Sequence, residues 1–168
     1  LLVVYMDGSV SCNHGGTEMG QGLNTKMAQV CADGLGISVD KVRITATDLQ
    51  KVPNASATSA SSGADINGAA IMNATAQMRE RLKPVAARML GCSAEEVTFA
   101  NNAAHGGGKS VEWSALTKQA WLDRVGLSVT GFYMTPEIKY DFATLNGRAF
   151  YYYCYGAAVS EVEIDTRT

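Results

Sequence analysis

The chain has 168 residues, 46% of them apolar, and a formal charge of −2 with both signs scattered along it. That length suits one domain with a real core. The lack of a basic run argues against nucleic acid as a partner, and the apolar runs are too short to cross a bilayer. The opening Leu1-Leu-Val-Val-Tyr5 has no initiator Met and no basic n-region, so it reads as a stretch from inside a longer protein, without a signal peptide. Cys12, Cys31, Cys92 and Cys154 form no Cys-x-x-Cys pair, and neither His14 nor His105 has a second ligand at zinc-like spacing. Reduced thiols, a cytoplasmic location and no zinc or iron–sulfur site of the chain's own are expected, with Cys31 a buried thiol on a helix face.

Two strand-like stretches, Leu1–Asp7 and Ser9–Asn13, flank the turn dipeptide Asp7-Gly8 and predict a β-hairpin. A glycine-rich stretch, His14–Gly22, leads into a helix from about Gly22 to Leu35, with Leu23, Met27, Val30, Cys31 and Leu35 at helical spacing and Gly34 and Gly36 near its end. Val42, Ile44 and Ala46 alternate with Arg43, Thr45 and Thr47, the pattern of a half-buried strand. Residues 53–63 are small and hydroxyl-rich, the composition of a linker. A second long helix is predicted from about Asp65 to Leu90, its buried stripe being Ile71, Thr75, Met78, Leu82, Val85 and Met89; Pro84 should kink or split it.

Ser93-Ala-Glu-Glu96 has capping-box spacing ahead of Val97-Thr-Phe99. Asn101–Ser110 reads as a glycine-rich loop or hairpin and Lys109–Trp113 as a short strand, with Ser114 capping a helix through about Arg124. The remainder is predicted β-rich, in Leu127–Tyr133, Lys139–Thr144 and Phe150–Asp165, with Asn146-Gly147 as the hairpin turn between the last two. Glu161 and Glu163 alternate with Val162 and Ile164 and would form the solvated face of that strand; the tyrosines of 151–155 would pack on the sheet. The mixture without strict alternation predicts an α+β fold of mixed sheets and two long helices.

Two nucleotide motifs begin and fail. Gly108-Lys109-Ser110 resembles the end of a P-loop, but Ala103 stands where its first glycine is needed. Gly20-Gln-Gly22 opens a dinucleotide fingerprint, but Thr25 takes the third glycine position; with Asp40 as ribose acid, a nucleotide-dependent oxidoreductase using Gly20 and Gly22 is one rival reading. A non-catalytic binding or assembly module is the other. Taken by itself, His14–Gly22 is either a tight connection or a cradle, since glycine admits close backbone approach and a helix start offers N–H groups to anions. Glu18 as a general base is the weaker reading of that carboxylate, and His14 reads as a loop anchor before a metal ligand.

The loop Gly15-Gly-Thr-Glu-Met-Gly-Gln-Gly22 closely resembles the signature loop of the xanthine dehydrogenase and aldehyde oxidase family, the molybdenum hydroxylases. Val52-Pro53-Asn54, Thr58–Gly63 and Asp65-Ile-Asn-Gly68 resemble that family's second cofactor loop, and the similarity continues through Gly131-Phe-Tyr-Met-Thr-Pro136 and Tyr155–Asp165. The xanthine dehydrogenase branch is the nearest in pattern. The resemblance implies that molybdopterin is contacted by Met19, Gly20 and Gln21 and by Thr58, Ser59, Ala60, Ser61, Ser62 and Gly63, with no residue of the chain ligating the metal directly. It implies hydroxylation of an electron-poor carbon, on a purine such as hypoxanthine or xanthine or on an aldehyde, with oxygen derived from water. Iron–sulfur clusters and FAD would sit on other domains or subunits, which would be the partners together with the rest of the molybdenum domain. Residues 1–168 would then be one segment of a larger molybdopterin-binding domain, incomplete at both ends. No catalytic residue is assigned within it, because the family's base glutamate lies after this segment and its substrate clamp before it.

Overall fold

The computed structural model describes residues 1–45, 55, 57–59, 61–153 and 155–168. Two compact units result, 1–134 and 135–168. In the first, β1 (Leu2–Val4) and β2 (Val10–Cys12) form the expected hairpin, closed by Gly8 at φ +88. Helix α1 (Leu23–Leu35) follows, and then β3 (Val42–Ile44) returns parallel to β2. The short β7 (Ser128–Val129) adds antiparallel to β1, giving the strand order β3-β2-β1-β7. Ala46 and Thr47, the predicted continuation of β3, lie outside the described residues.

Helix α2 (Gly63–Leu90) packs along α1. Thr75 lies against Gly34 of α1, where any side chain on the glycine would collide with it. Pro84 neither ends nor splits α2, which runs unbroken through it. The predicted stripe holds to Val85, but Met89 is exposed while Ala86, Ala87 and Leu90 are buried. The reason is packing beyond α1: Leu90 lies beside Gly106 in the second sheet, so the buried face turns toward that sheet at the helix end.

That second sheet is β4 (Thr98–Ala100), β5 (Ala103–Gly106) and β6 (Lys109–Glu112), joined by two-residue turns. Asn101 and Asn102 have φ +52 and +61, and Gly107 and Gly108 have +55 and +72, the twist-compatible geometry of tight hairpins. The capping box of Ser93 and Glu96 forms as expected. Helix α3 (Trp113–Leu122) starts one residue before Ser114, which therefore is not its cap. Trp113 fixes that start: its backbone N–H donates to Asn102 O and its buried indole N–H donates to Gly8 O at 2.8 Å.

The second unit holds the hairpin of β8 (Lys139–Asp141) and β9 (Asn146–Arg148). Asn146-Gly147 lies inside β9 and is not the turn. The Asp141 carboxylate accepts from Ala143 N–H and Thr144 O–H, which curls residues 142–145 into a four-residue turn before Asn146 is reached. Residues 155–168 form no strand, contrary to the alternating pattern, and both Glu161/Glu163 and Val162/Ile164 are exposed. A strand needs a neighbour for its backbone groups, and this segment pairs with none among the described residues. The tyrosines 151–153 and 155 are likewise exposed, not packed on a sheet. The whole is α+β, with its core where α1, α2 and α3 meet the two sheets of the first unit.

Candidate cofactor-binding loops

The glycine-rich loop is organised from within. His14 is buried; Gly16 N–H donates to its Nδ1 at 3.1 Å, so the ring proton sits on Nε2 and points to Asn24 Oδ1, also 3.1 Å away. Burial holds the imidazole below its ordinary pKa, keeping it neutral and able to accept the Gly16 bond. His14 is thus the loop anchor its sequence context predicts. Gly16 lies tight beneath the loop: a Cβ there would fall 2.5 Å from Leu23 and 3.0 Å from Asn67.

Glu18 turns back into the loop. One carboxylate oxygen accepts from Gly20 N–H at 2.8 Å and Gly22 N–H at 3.1 Å, and the other from Asn24 N–H at 2.8 Å. These bonds, led by that of Asn24, hold the carboxyl below the usual carboxylate range. A carboxylate so engaged and so weakly basic is a poor general base. The sequence reading missed this cap because capping rules look at the residue just before a helix, whereas Glu18 reaches the start of α1 from four residues before Gly22. Gln21 closes the loop further, accepting from Met19 N–H at 2.6 Å and donating to Thr17 O at 2.9 Å. Met19 stands 69% exposed at the tip. Gly20 and Gly22 take φ +101 and +75, and a Cβ on either would meet nothing within 4 Å.

The two predicted loops meet. Thr17 N–H donates to Thr58 Oγ at 2.8 Å, and a Cβ on Gly63 would lie 3.5 Å from Thr58 and 3.6 Å from Leu23. Ser62 donates through its N–H and its hydroxyl to Ser59 O, Ser61 adopts φ +59, and α2 begins with no side-chain hydrogen bond at its Ser62 cap. So the starts of α1 and α2 lie together, joined where Thr17 meets Thr58 and Leu23 meets Gly63. Val52-Pro53-Asn54 and Ala60 lie outside the described residues. A mostly apolar cavity of about 250 Å³, bordered by Leu2, Asn13, His14, Gly15, Asn67 and Ile71 among others, adjoins the start of the glycine loop but is not lined by Met19, Gly20, Gln21, Thr58, Ser59 or Ser61–Gly63. Asn13 Oδ1 is buried there and accepts no hydrogen bond from the described residues.

The nucleotide motifs do not find their geometry. Gly108 closes the β5–β6 turn and Lys109-Ser110 continues as strand, with no helix start to receive a phosphate. β2, α1 and β3 do form a parallel crossover, but Asp40 precedes β3 and so lies at the wrong end of the strand to meet a ribose beside the glycine loop. Among the described residues no cluster of three His, Cys, Asp or Glu side chains could hold a metal ion, and no helix is long and apolar enough to cross a membrane.

Comparison with known proteins says to which kind of protein this fold and these loops belong. A family model for the molybdopterin cofactor-binding domain matches residues 1–168, and the chain belongs to that family. It is 44% identical over 168 residues to the xanthine dehydrogenase/oxidase of Gallus gallus and 42% to the xanthine dehydrogenase of Oryza sativa subsp. japonica, each match covering the whole chain but 11% of the relative. The chain thus spans about a tenth of the length of the curated relatives it matches. Among solved structures, quinoline 2-oxidoreductase from Pseudomonas putida 86 aligns with 73% of the chain and 16% of its own at TM-score 0.65 and 26% identity. A reconstituted CO dehydrogenase from Oligotropha carboxidovorans shares the fold at TM-score 0.74, with 24% identity over 80% of this chain and 18% of that one.

The groups present fit a molybdopterin. The small hydroxyls of Thr58, Ser59, Ser61 and Ser62, the Gln21 amide and the start of α2, whose Ser62 cap makes no side-chain hydrogen bond, form a polar donor and acceptor set without bulk, and Asn13 Oδ1 borders the adjoining cavity without a hydrogen bond from the described residues.

Proposed function

We propose that residues 1–168 are one segment of a larger molybdenum-binding domain in a cytoplasmic xanthine dehydrogenase-like hydroxylase, and that Met19, Gly20, Gln21 and Thr58–Gly63 border its molybdopterin. The observation that carries this is the Thr17–Thr58 hydrogen bond: two loops 41 positions apart meet at two helix starts. When bound, the cofactor supplies hydroxylation of an electron-poor carbon, on a purine or an aldehyde, with oxygen derived from water. The chain's own part is to hold and orient that group. Gly20 presents backbone without bulk, Gln21 keeps its exposed amide in a fixed direction through its bonds to Met19 and Thr17, and the serine hydroxyls and the open start of α2 receive polar and anionic atoms. The base, the substrate clamp, the iron–sulfur clusters and the FAD belong to other parts of the protein or to partner subunits.

Gly20→Val in the full-length protein tests the reading. A Cβ at Gly20 meets nothing within 4 Å among the described residues but is strained at φ +101, so the variant should lose some stability while molybdenum per folded polypeptide falls at least tenfold. Full molybdenum occupancy in the folded variant would remove Gly20 from the cofactor shell. Consistently, the isolated 168 residues should not oxidise xanthine even when supplied with cofactor; turnover near the rate of the full protein would overturn the segment reading.

A further inference from the structure

The three amides that Glu18 engages are those a glycine loop at a helix start would otherwise offer to an external anion. Gly20 N–H, Gly22 N–H and Asn24 N–H all turn inward to one carboxylate at 2.8, 3.1 and 2.8 Å. That arrangement fixes the left-handed turns at Gly20 and Gly22 and leaves Met19 and the Gln21 amide on the outer side. Without the carboxylate the same amides would be solvated, and residues 18–22 would lose their tether to α1, leaving the His14–Asn24 bond to hold only the beginning of the loop. The Gln21 bonds alone span only Thr17 to Gln21 and do not tie the loop to the helix.

We infer that Glu18 is a positioning residue for the cofactor shell: its carboxylate acts as an internal anion that shapes the loop, so that the cofactor is met by Gln21 and the second loop and not by the amides at the start of α1. This rests on the reading of the loop as part of the molybdopterin shell. Charge-assisted bonds to three amides make the device stronger than a neutral cap. It also explains why a carboxylate sits in a loop meant to face an anionic cofactor. Facing inward, its charge is matched by the helix start.

The test uses full-length protein with Glu18→Ala and Glu18→Gln beside Gly20→Val, reading molybdenum per folded polypeptide, the rate of molybdenum loss from folded protein, and the melting temperature. Glu18→Ala should raise the loss rate at least tenfold. Glu18→Gln should fall between it and wild type, because the amide oxygen can still accept from Gly20 and Gly22 but the amide nitrogen cannot accept from Asn24. A role confined to stability would lower the melting temperature in both variants and leave the loss rate unchanged, which would overturn the inference. If Gly20→Val loses molybdenum and both Glu18 variants keep it, the Glu18 assignment alone falls. If all three keep it, the cofactor reading of the loop falls as well. Should Glu18→Ala fail to fold, the Glu18→Gln loss rate decides: the intermediate rate supports the assignment, and the wild-type rate overturns it.

Discussion

Helix α1 has left-handed glycines at both ends, and the two ends need them for different reasons. At the C-terminal end Gly36 (φ +72) caps the helix, with Ile37 N–H returning to Ala32 O. A Cβ on Gly36 would fall 2.5 Å from the carbonyl carbon and oxygen of Phe99, so the chain's own packing forbids a side chain. At the N-terminal end Gly20 and Gly22 have the same handedness, but open space surrounds them. There only the backbone conformation asks for glycine. An end closed by its own protein is structural; the end that the described residues leave bare is the one we propose faces the cofactor.

The comparison breaks if substitution at the two ends is equally damaging. Gly36→Ala combines left-handed strain with a collision against immobile backbone, and it should cost about 2–5 kcal/mol. Urea unfolding followed by circular dichroism would measure it. A loss below that of any loop glycine would mean that Phe99 can retreat and that this end is not locked.

Gly16 should fall between the extremes. Its nearest obstacle is the end of the Leu23 side chain, which can shift, and no positive φ is involved. Gly16→Ala should cost about 1–2 kcal/mol and loosen the His14 anchor above it. A cost matching Gly36→Ala would show the loop base to be as rigid as the helix end. Gly20→Ala should cost least, about 1 kcal/mol from the backbone conformation alone. A cost above about 3 kcal/mol would exceed backbone strain and reveal a neighbour beyond those described.

Much of this contrast is legible in the sequence, but unevenly. Both loops, both long helices and the capping box of Ser93 and Glu96 follow from local pattern, because glycine clusters, 3.6-residue periodicity and cap spacing are local physics. The shift from Met89 to Leu90 is not local: it is decided by Gly106 on a strand that the helix meets only after folding. Likewise the turn of the last hairpin follows Asp141 and its bonds to Ala143 and Thr144, which outweigh the Asn146-Gly147 signal. In the candidate site, residue types leave 14–22 as a tight connection or a cradle and 53–63 as a linker, and the family resemblance points to both as cofactor loops; the Thr17–Thr58 bond depends on how two distant segments meet, and the inward turn of Glu18 on a loop geometry that composition does not specify. The alternating pattern of residues 159–165 predicts a strand that does not form, because a strand needs a partner and the described residues supply none.

The smallest expected effect sharpens the comparison through pH. His14 anchors the open end of α1 as a neutral ring, and burial holds its pKa below the ordinary value near 6.5. As pH falls below that value, the unfolded chain takes up a proton that the folded chain refuses, so stability declines with acidification until the folded-state pKa is passed. Glu18 adds a second decline at lower pH, because its depressed carboxyl contributes above its unfolded value and loses that contribution as pH falls through the folded one. The C-terminal end at Gly36 is held by backbone bonds and packing and should not respond. The check is the melting temperature between pH 8 and pH 5 for wild type and for His14→Asn, whose side-chain oxygen can still accept from Gly16 N–H. The advantage of wild type should shrink as pH drops below about 6.5. Parallel curves would mean that His14 titrates alike in the folded and the unfolded chain, and that its neutral ring has no part in holding the loop.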